Sequence, residues 1–128
     1  MLVKALDNID GEYNIVIAIT EDSIVDWQKN GSYDDSVYVH NHVLRAIINN
    51  TWGENLKSSN NYTTNEEINL SYNISISSLE QFNINHSTNE LFMGNGNTGA
   101  WDINKLNIVA YIYNVDNKEI IQVEELHL

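Results

Sequence analysis

The residues of this chain best equipped for chemistry lie in its first half: Glu21 and Asp22, the run His40-Asn41-His42, and Arg45. Successive side chains of a strand point to opposite faces, so His40 and His42 on one strand would share a face, as the first two ligands of a metal site would. Two ligands are too few for a stable zinc centre. His86, His127 or any of the eighteen acidic residues could complete the set, but no spacing selects one. The sequence therefore assigns no metal and no cofactor, and the histidines and Arg45 read as hydrogen-bonding groups that orient nearby loops. Glu21 and Asp22 are adjacent, which on a strand sends their carboxylates to opposite faces. They fit a turn-capping pair better than a general acid and base. No Gly-x-Ser-x-Gly elbow is present, there is no cysteine, and Gly94 to Gly99 lacks the ending of a phosphate loop. No catalytic residue is assigned.

Trp27, Trp52 and Trp101 fall at expected strand ends or loops. Indoles there either plug the end of a β-sandwich or stack on sugar rings, and Trp52 and Trp101 are the candidate ligand contacts. Five N-x-[ST] sequons begin at Asn49, Asn61, Asn69, Asn73 and Asn85, a number that chance supplies readily in a chain with 21 asparagines. Six basic against eighteen acidic residues leave a net charge of -12, so nucleic acid is excluded as a partner because its phosphates would be repelled. His-Asn-His also spells a nuclease signature, but this surface could not approach its substrate.

What must position these groups is a set of strands. Tyr13 to Thr20 alternates Tyr13, Ile15, Ile17 and Ile19 against Asn14, Val16, Ala18 and Thr20, and both faces are apolar enough for a central strand. Leu106 to Tyr113 has the same character. Glu67 to Ser77 alternates cleanly, which predicts a strand with one wet face. Val37 to Asn49 fits strand or helix and is taken as strand. The segment Asn114 to Glu119 suits a hairpin, with positive φ at Asp116-Asn117. A last strand follows from Glu119, with a bulge near Glu124-Glu125 returning Leu126 and Leu128 to the core. Residues 28–36, 50–66 and 78–104 read as loops. At 128 residues the chain makes a single domain. The expected class is all-β, an antiparallel immunoglobulin-like β-sandwich with long polar loops.

The order of these pieces carries a resemblance. Ile17-Ala-Ile-Thr-Glu21-Asp22 is followed by Gln28, by Tyr38-Val-His-Asn-His-Val-Leu-Arg45 and by Thr51-Trp-Gly-Glu54. The chain ends in Leu106-Asn-Ile-Val-Ala-Tyr-Ile-Tyr, a turn, and Glu119-Ile-Ile-Gln-Val-Glu-Glu. Over most of residues 13–127 this resembles the C-terminal β-domain of the Omp28-related outer-membrane proteins of Bacteroidetes-type bacteria. The resemblance implies export to the cell envelope, with membrane association through an N-terminal lipid anchor outside this sequence. It also implies that a thioredoxin-like domain precedes the β-domain in longer relatives, so the chain is expected to be an excised domain. Glu21, Asp22, Gln28, His40, Asn41, His42 and Arg45 become family-motif positions, read as a polar network tying the Glu-Asp turn to the strand of Arg45. The implied function is a non-enzymatic, surface-exposed interaction domain, adhesive in role, that presents loops to a protein or glycan. Two alternatives accompany it: a hydrolase using a carboxylate pair near His40 or His42, and a structural module supporting the thioredoxin-like domain.

Overall fold

A computed structural model describes residues 1–89 and 101–128. The strands are β1 (Leu2–Lys4), β2 (Ile9–Asp10), β3 (Tyr13–Glu21), β4 (Ile24–Asn30), β5 (Tyr33–His40), β6 (Val43–Ile47), β7 (Glu54–Asn55), β8 (Asn61–Tyr62), β9 (Glu67–Asn69), β10 (Leu106–Asn114) and β11 (Ile120–His127). One α-helix, α1 (Ile76–Asn89), and a 3-10 turn at Ile103–Lys105 complete the described elements. The loop Gly94 to Gly99 lies outside the described residues.

The fold is all-β and antiparallel. Its frame is a sheet ordered β11-β10-β3-β6, with β7 also paired to β3. Strand β3 pairs with β10 along its whole length, from Leu106 opposite Glu21 to Asn114 opposite Tyr13. The β-branched alternation expected of β3 is realised on both faces: Ile15, Ile17 and Ile19 are buried on one, Val16 and Ala18 on the other. The isoleucine face carries the core, where Tyr13, Leu56, Tyr62 and Ile112 join Ile15 and Ile17. Ile19, Leu106 and Trp101 form a second cluster, against which Ile76 and Leu79 of α1 pack. The layer covering this face consists of the ribbons β1-β9 and β2-β8 together with α1. The arrangement is sandwich-like, although ribbons and a helix stand where an immunoglobulin-like domain has a second multi-stranded sheet.

Asn49 fills a gap in this frame. Between β6 and β7 no strand among the described residues covers the edge of β3, and the buried Asn49 side chain substitutes: its Oδ1 accepts from Ile17 N at 2.9 Å and its Nδ2 donates to Ile15 O at 2.9 Å. A sequon asparagine so engaged has no free amide for a glycan.

Several sequence expectations are corrected. Residues 28–36 are not a loop, because β4 and β5 form a hairpin closed by Gly31-Ser32, with Asn30 opposite Tyr33 and Gly31 at φ +66°. The strand expected over Glu67 to Ser77 ends at Asn69, and part of the expected 78–104 loop is α1. Ser75 caps that helix, its Oγ accepting from Ser78 N at 3.3 Å. The segment Val37 to Asn49 is two strands rather than one, broken at His42, whose φ is +54°. Finally, β11 runs straight past Glu124-Glu125. Its register shift lies opposite Ile112 and Tyr113, and Leu126 stays exposed because β11 is the sheet edge. In the turn before β11, Lys118 holds the positive φ, while the Asn114 side chain accepts from Asp116 N and Asn117 N. Tyr113 donates its hydroxyl to Trp52 O at 2.8 Å and ties β10 to the loop before β7.

Candidate functional site

The hairpin β4-β5 leaves and re-enters the sheet through two tight turns, at Asp22-Ser23 and at Asn41-His42. Ser23 and His42 both hold positive φ, which leaves their amides pointing away from any strand partner. Each turn satisfies the other. Asp22 Oδ1 accepts from His42 N at 2.6 Å, and Asn41 Oδ1 accepts from Ser23 N at 3.0 Å. The bond from His42 N is the main reason the Asp22 carboxyl sits below its ordinary pKa, with partial burial opposing it and the Asn107 amide assisting.

On the core side of this clasp lies an ion pair. Arg45 is the extra residue of a bulge in β6, between Leu44 opposite Thr20 and Ala46 opposite Ile19. The bulge re-aims its side chain. Arg45 Nε donates to Glu21 Oε2 at 2.7 Å, with the two side chains only 8% and 4% exposed. The other Glu21 oxygen accepts from Asp102 N at 3.0 Å, so one carboxylate joins β3, β6 and the segment entering β10. Asn83 of α1 adds a bond to Arg45 O at 2.8 Å.

On the outer face sits a second group. Asp22 Oδ2 accepts from the buried Asn107 amide at 2.8 Å, and Asn107 Oδ1 lies 2.9 Å from His127 Nδ1. His42 bridges two carboxylates, with Nδ1 3.4 Å from Asp22 Oδ1 and Nε2 3.4 Å from Glu125 Oε1. One ligand atom each from Asp22, His42 and Glu125 can be chosen so that all lie within 4.8 Å of one another.

Of the motif residues, the structure brings Glu21, Asp22, Asn41, His42 and Arg45 together. It separates two. His40 pairs with Ile24 at the hairpin base and meets Tyr38 edge-on, away from the His42 cluster, so the two imidazoles do not share a strand face. Gln28 lies further along the hairpin, where its amide donates to Lys29 O. Asn107 was not singled out, and Glu125 and His127 stood only among the many residues that could complete a metal site, because nothing local in the sequence selects them; only the pairing of β3, β10 and β11 brings them to Asp22. Trp101 is buried against Ile19 and Leu106, so its indole packs in the core instead of lying on the surface. Trp52 is exposed. The hairpin itself exposes Val25, Trp27, Val37 and Val39. A cleft of about 430 Å³ elsewhere has mostly apolar walls, including Val3, Tyr13, Leu56, Ile68 and Ile112. No family model, curated protein or solved structure matches the chain.

Proposed function

We propose that this chain is a non-enzymatic interaction domain of the cell envelope and that the β4-β5 hairpin is its contact surface. The observation that carries this reading is the exposed apolar stripe on that hairpin. Val25 lies directly opposite Val39, with Trp27 and Val37 beside them, and all four are exposed. A two-stranded ribbon has little stability of its own, and a contiguous apolar patch on one is a liability unless something covers it. The valines favour a protein partner over a glycan, since they offer no flat ring for a sugar to stack on. The envelope location rests on the resemblance to the Omp28-related β-domain.

The test is cross-linking of the purified chain to outer-membrane protein fractions, alongside a panel of surface polysaccharides, with Val37→Asp and Trp27→Ala compared against the parent. The expected result is one cross-linked protein species that both variants lose while their melting temperatures stay unchanged. Turnover of a glycoside, ester or peptide that a single carboxylate substitution abolishes would overturn the proposal in favour of a hydrolase. Polysaccharide binding that depends on Trp27 and Trp52 would move the partner to the glycan class.

A further inference from the structure

We infer that the groove between β1 and β11 accepts an extended strand of a partner protein, with apolar side chains at alternate positions and a basic residue between them. The site is separate from the β4-β5 hairpin and does not rest on the reading given to it. The cleft of about 430 Å³ has a neighbour of about 570 Å³, whose walls include Ile17, Leu70, Tyr72 and Ile108. Met1, Ala110 and Glu124 line both, so the two clefts meet end to end along the inner face of β10 and β11. Each is roomier than the roughly 150 Å³ that takes up one benzene ring. The layer that covers the isoleucine face of the sheet is thus incomplete over these two strands.

A hydrogen-bonding edge forms the opposite wall. Met1 N and Ala5 N donate to Leu70 O and Glu66 O, and Val3 lies opposite Ile68, so Met1, Val3 and Ala5 turn their backbone groups toward β9. Alternation then turns the N–H and C=O of Leu2 and Lys4 to the other edge, where no strand among the described residues pairs with them. Every residue from Met1 to Leu6 lines the first cleft, as the edge of a strand does; a face would show alternate residues only. An acyl chain would fill the apolar space but leave that edge without partners. A strand added to β1 satisfies it and sets every second side chain onto β10 and β11. The wall from Ile121 to Leu126 of β11 is roughly 20 Å long, which fits an occupant of about six or seven residues.

Charge selects among strands. Glu124 stands where the clefts meet, on the inner face opposite Ala110. Its carboxylate accepts the Gln122 amide at 2.7 Å, and no cation among the described residues, Lys4 included, pairs with it. A lysine or arginine in the middle of the added strand answers that charge. A second copy of this chain fits badly, because its own free sheet edge, β11, carries Glu124 and Glu125 and each copy has a net charge of -12.

The experiment titrates the whole chain with heptapeptides Thr-X-Thr-Z-Thr-X-Thr, blocked at both ends, where X is Val, Leu, Ile or Phe and Z is Lys, Arg, Ser or Glu. Binding is read by calorimetry and by amide hydrogen exchange. The expected result is one peptide per chain, bound about tenfold or more tighter with Lys or Arg at Z than with Glu, and slowed exchange at the Leu2 and Lys4 amides. Methylating the peptide nitrogens at odd or at even positions should abolish binding in one set and spare it in the other, because alternate N–H groups face β1. Glu124→Lys, at an exposed position, should reverse the preference at Z. Val37→Asp on the hairpin should leave peptide binding unchanged, which keeps this test apart from that of the hairpin. The inference falls if no member of the panel binds, if both methylated sets bind as tightly as the parent peptide, if Glu124→Lys leaves the preference unaltered, or if the chain alone protects Leu2 and Lys4 by dimerising through this edge.

Discussion

Glu21 and Arg45 show how much one carboxylate can hold. Removing Arg45 leaves a nearly solvent-free carboxylate with its Asp102 bond but without its counter-charge. Breaking such a buried pair costs about 3–5 kcal/mol, whereas making both partners neutral costs less. Arg45→Ala should therefore lower stability by about 3 kcal/mol in urea unfolding, and Arg45→Met combined with Glu21→Gln should recover part of that loss. Recovery would show that the pair fixes geometry more than it adds stability. Asp22 makes a different prediction, because its pKa is depressed rather than its charge buried. A carboxyl that holds its proton less tightly when folded adds stability above its ordinary value of 3.8, and that stability is lost as pH falls through the lower folded value. Asp22→Asn should lower the melting temperature at pH 7 and leave it nearly unchanged below pH 3, a difference that scanning calorimetry at the two pH values would read.

At the level of elements, what the sequence disclosed depended on how local the signal was. Strands β3 and β10 were legible because each is a short run rich in β-branched and aromatic residues with both faces largely apolar, the pattern of a central strand. The hairpin β4-β5 was missed although Gly31-Ser32, a two-residue turn signal, sits at its tip. The density of Asn, Asp, Ser and Gly around it imitated a loop. Helix α1 was missed because its inward face mixes Ile76 and Leu79 with polar Asn83 and Ser87, so apolar periodicity is weak. In the candidate site, the pairing of the Glu-Asp turn with Asn41, His42 and Arg45 falls among motif residues named from sequence, while Glu125 and His127 come from a strand about a hundred positions away. Gly53 tests the packing of the loop after β6. Its φ is +72°, and a Cβ there would collide with the backbone carbonyl of Ile15 and crowd Val16. Neither neighbour can yield, since both belong to the central strand. Gly53→Ala should cost about 2–4 kcal/mol by denaturant unfolding, well above the cost of the same change at the open hairpin position Gly31.

For the molecule as a whole, electrostatics sets two opposing trends with pH. At neutral pH the charge of -12 makes the folded state repel itself, and acidification toward the sequence pI of about 4.4 relieves that repulsion. Working the other way, Asp22, Glu66 and Asp102 all have carboxyls held below their ordinary values: Asp22 by the His42 amide, Glu66 by the Lys57 ammonium and Asp102 by the Asn104 amide. Depressed pKa values favour the fold only while those groups stay ionised, so protonating them below about pH 4 favours the unfolded chain. Stability should therefore peak on the acid side of neutrality, at roughly pH 4.5–6, instead of at pH 7. Salt separates the two causes. Because screening acts mainly on exposed charges, raising ionic strength at pH 7 should raise the melting temperature, and the same change near the pI should do little. Urea unfolding across pH 3–8 at low and moderate salt would measure both, and a stability maximum at neutral pH that salt does not move would show that the acidic surface is not what limits this fold.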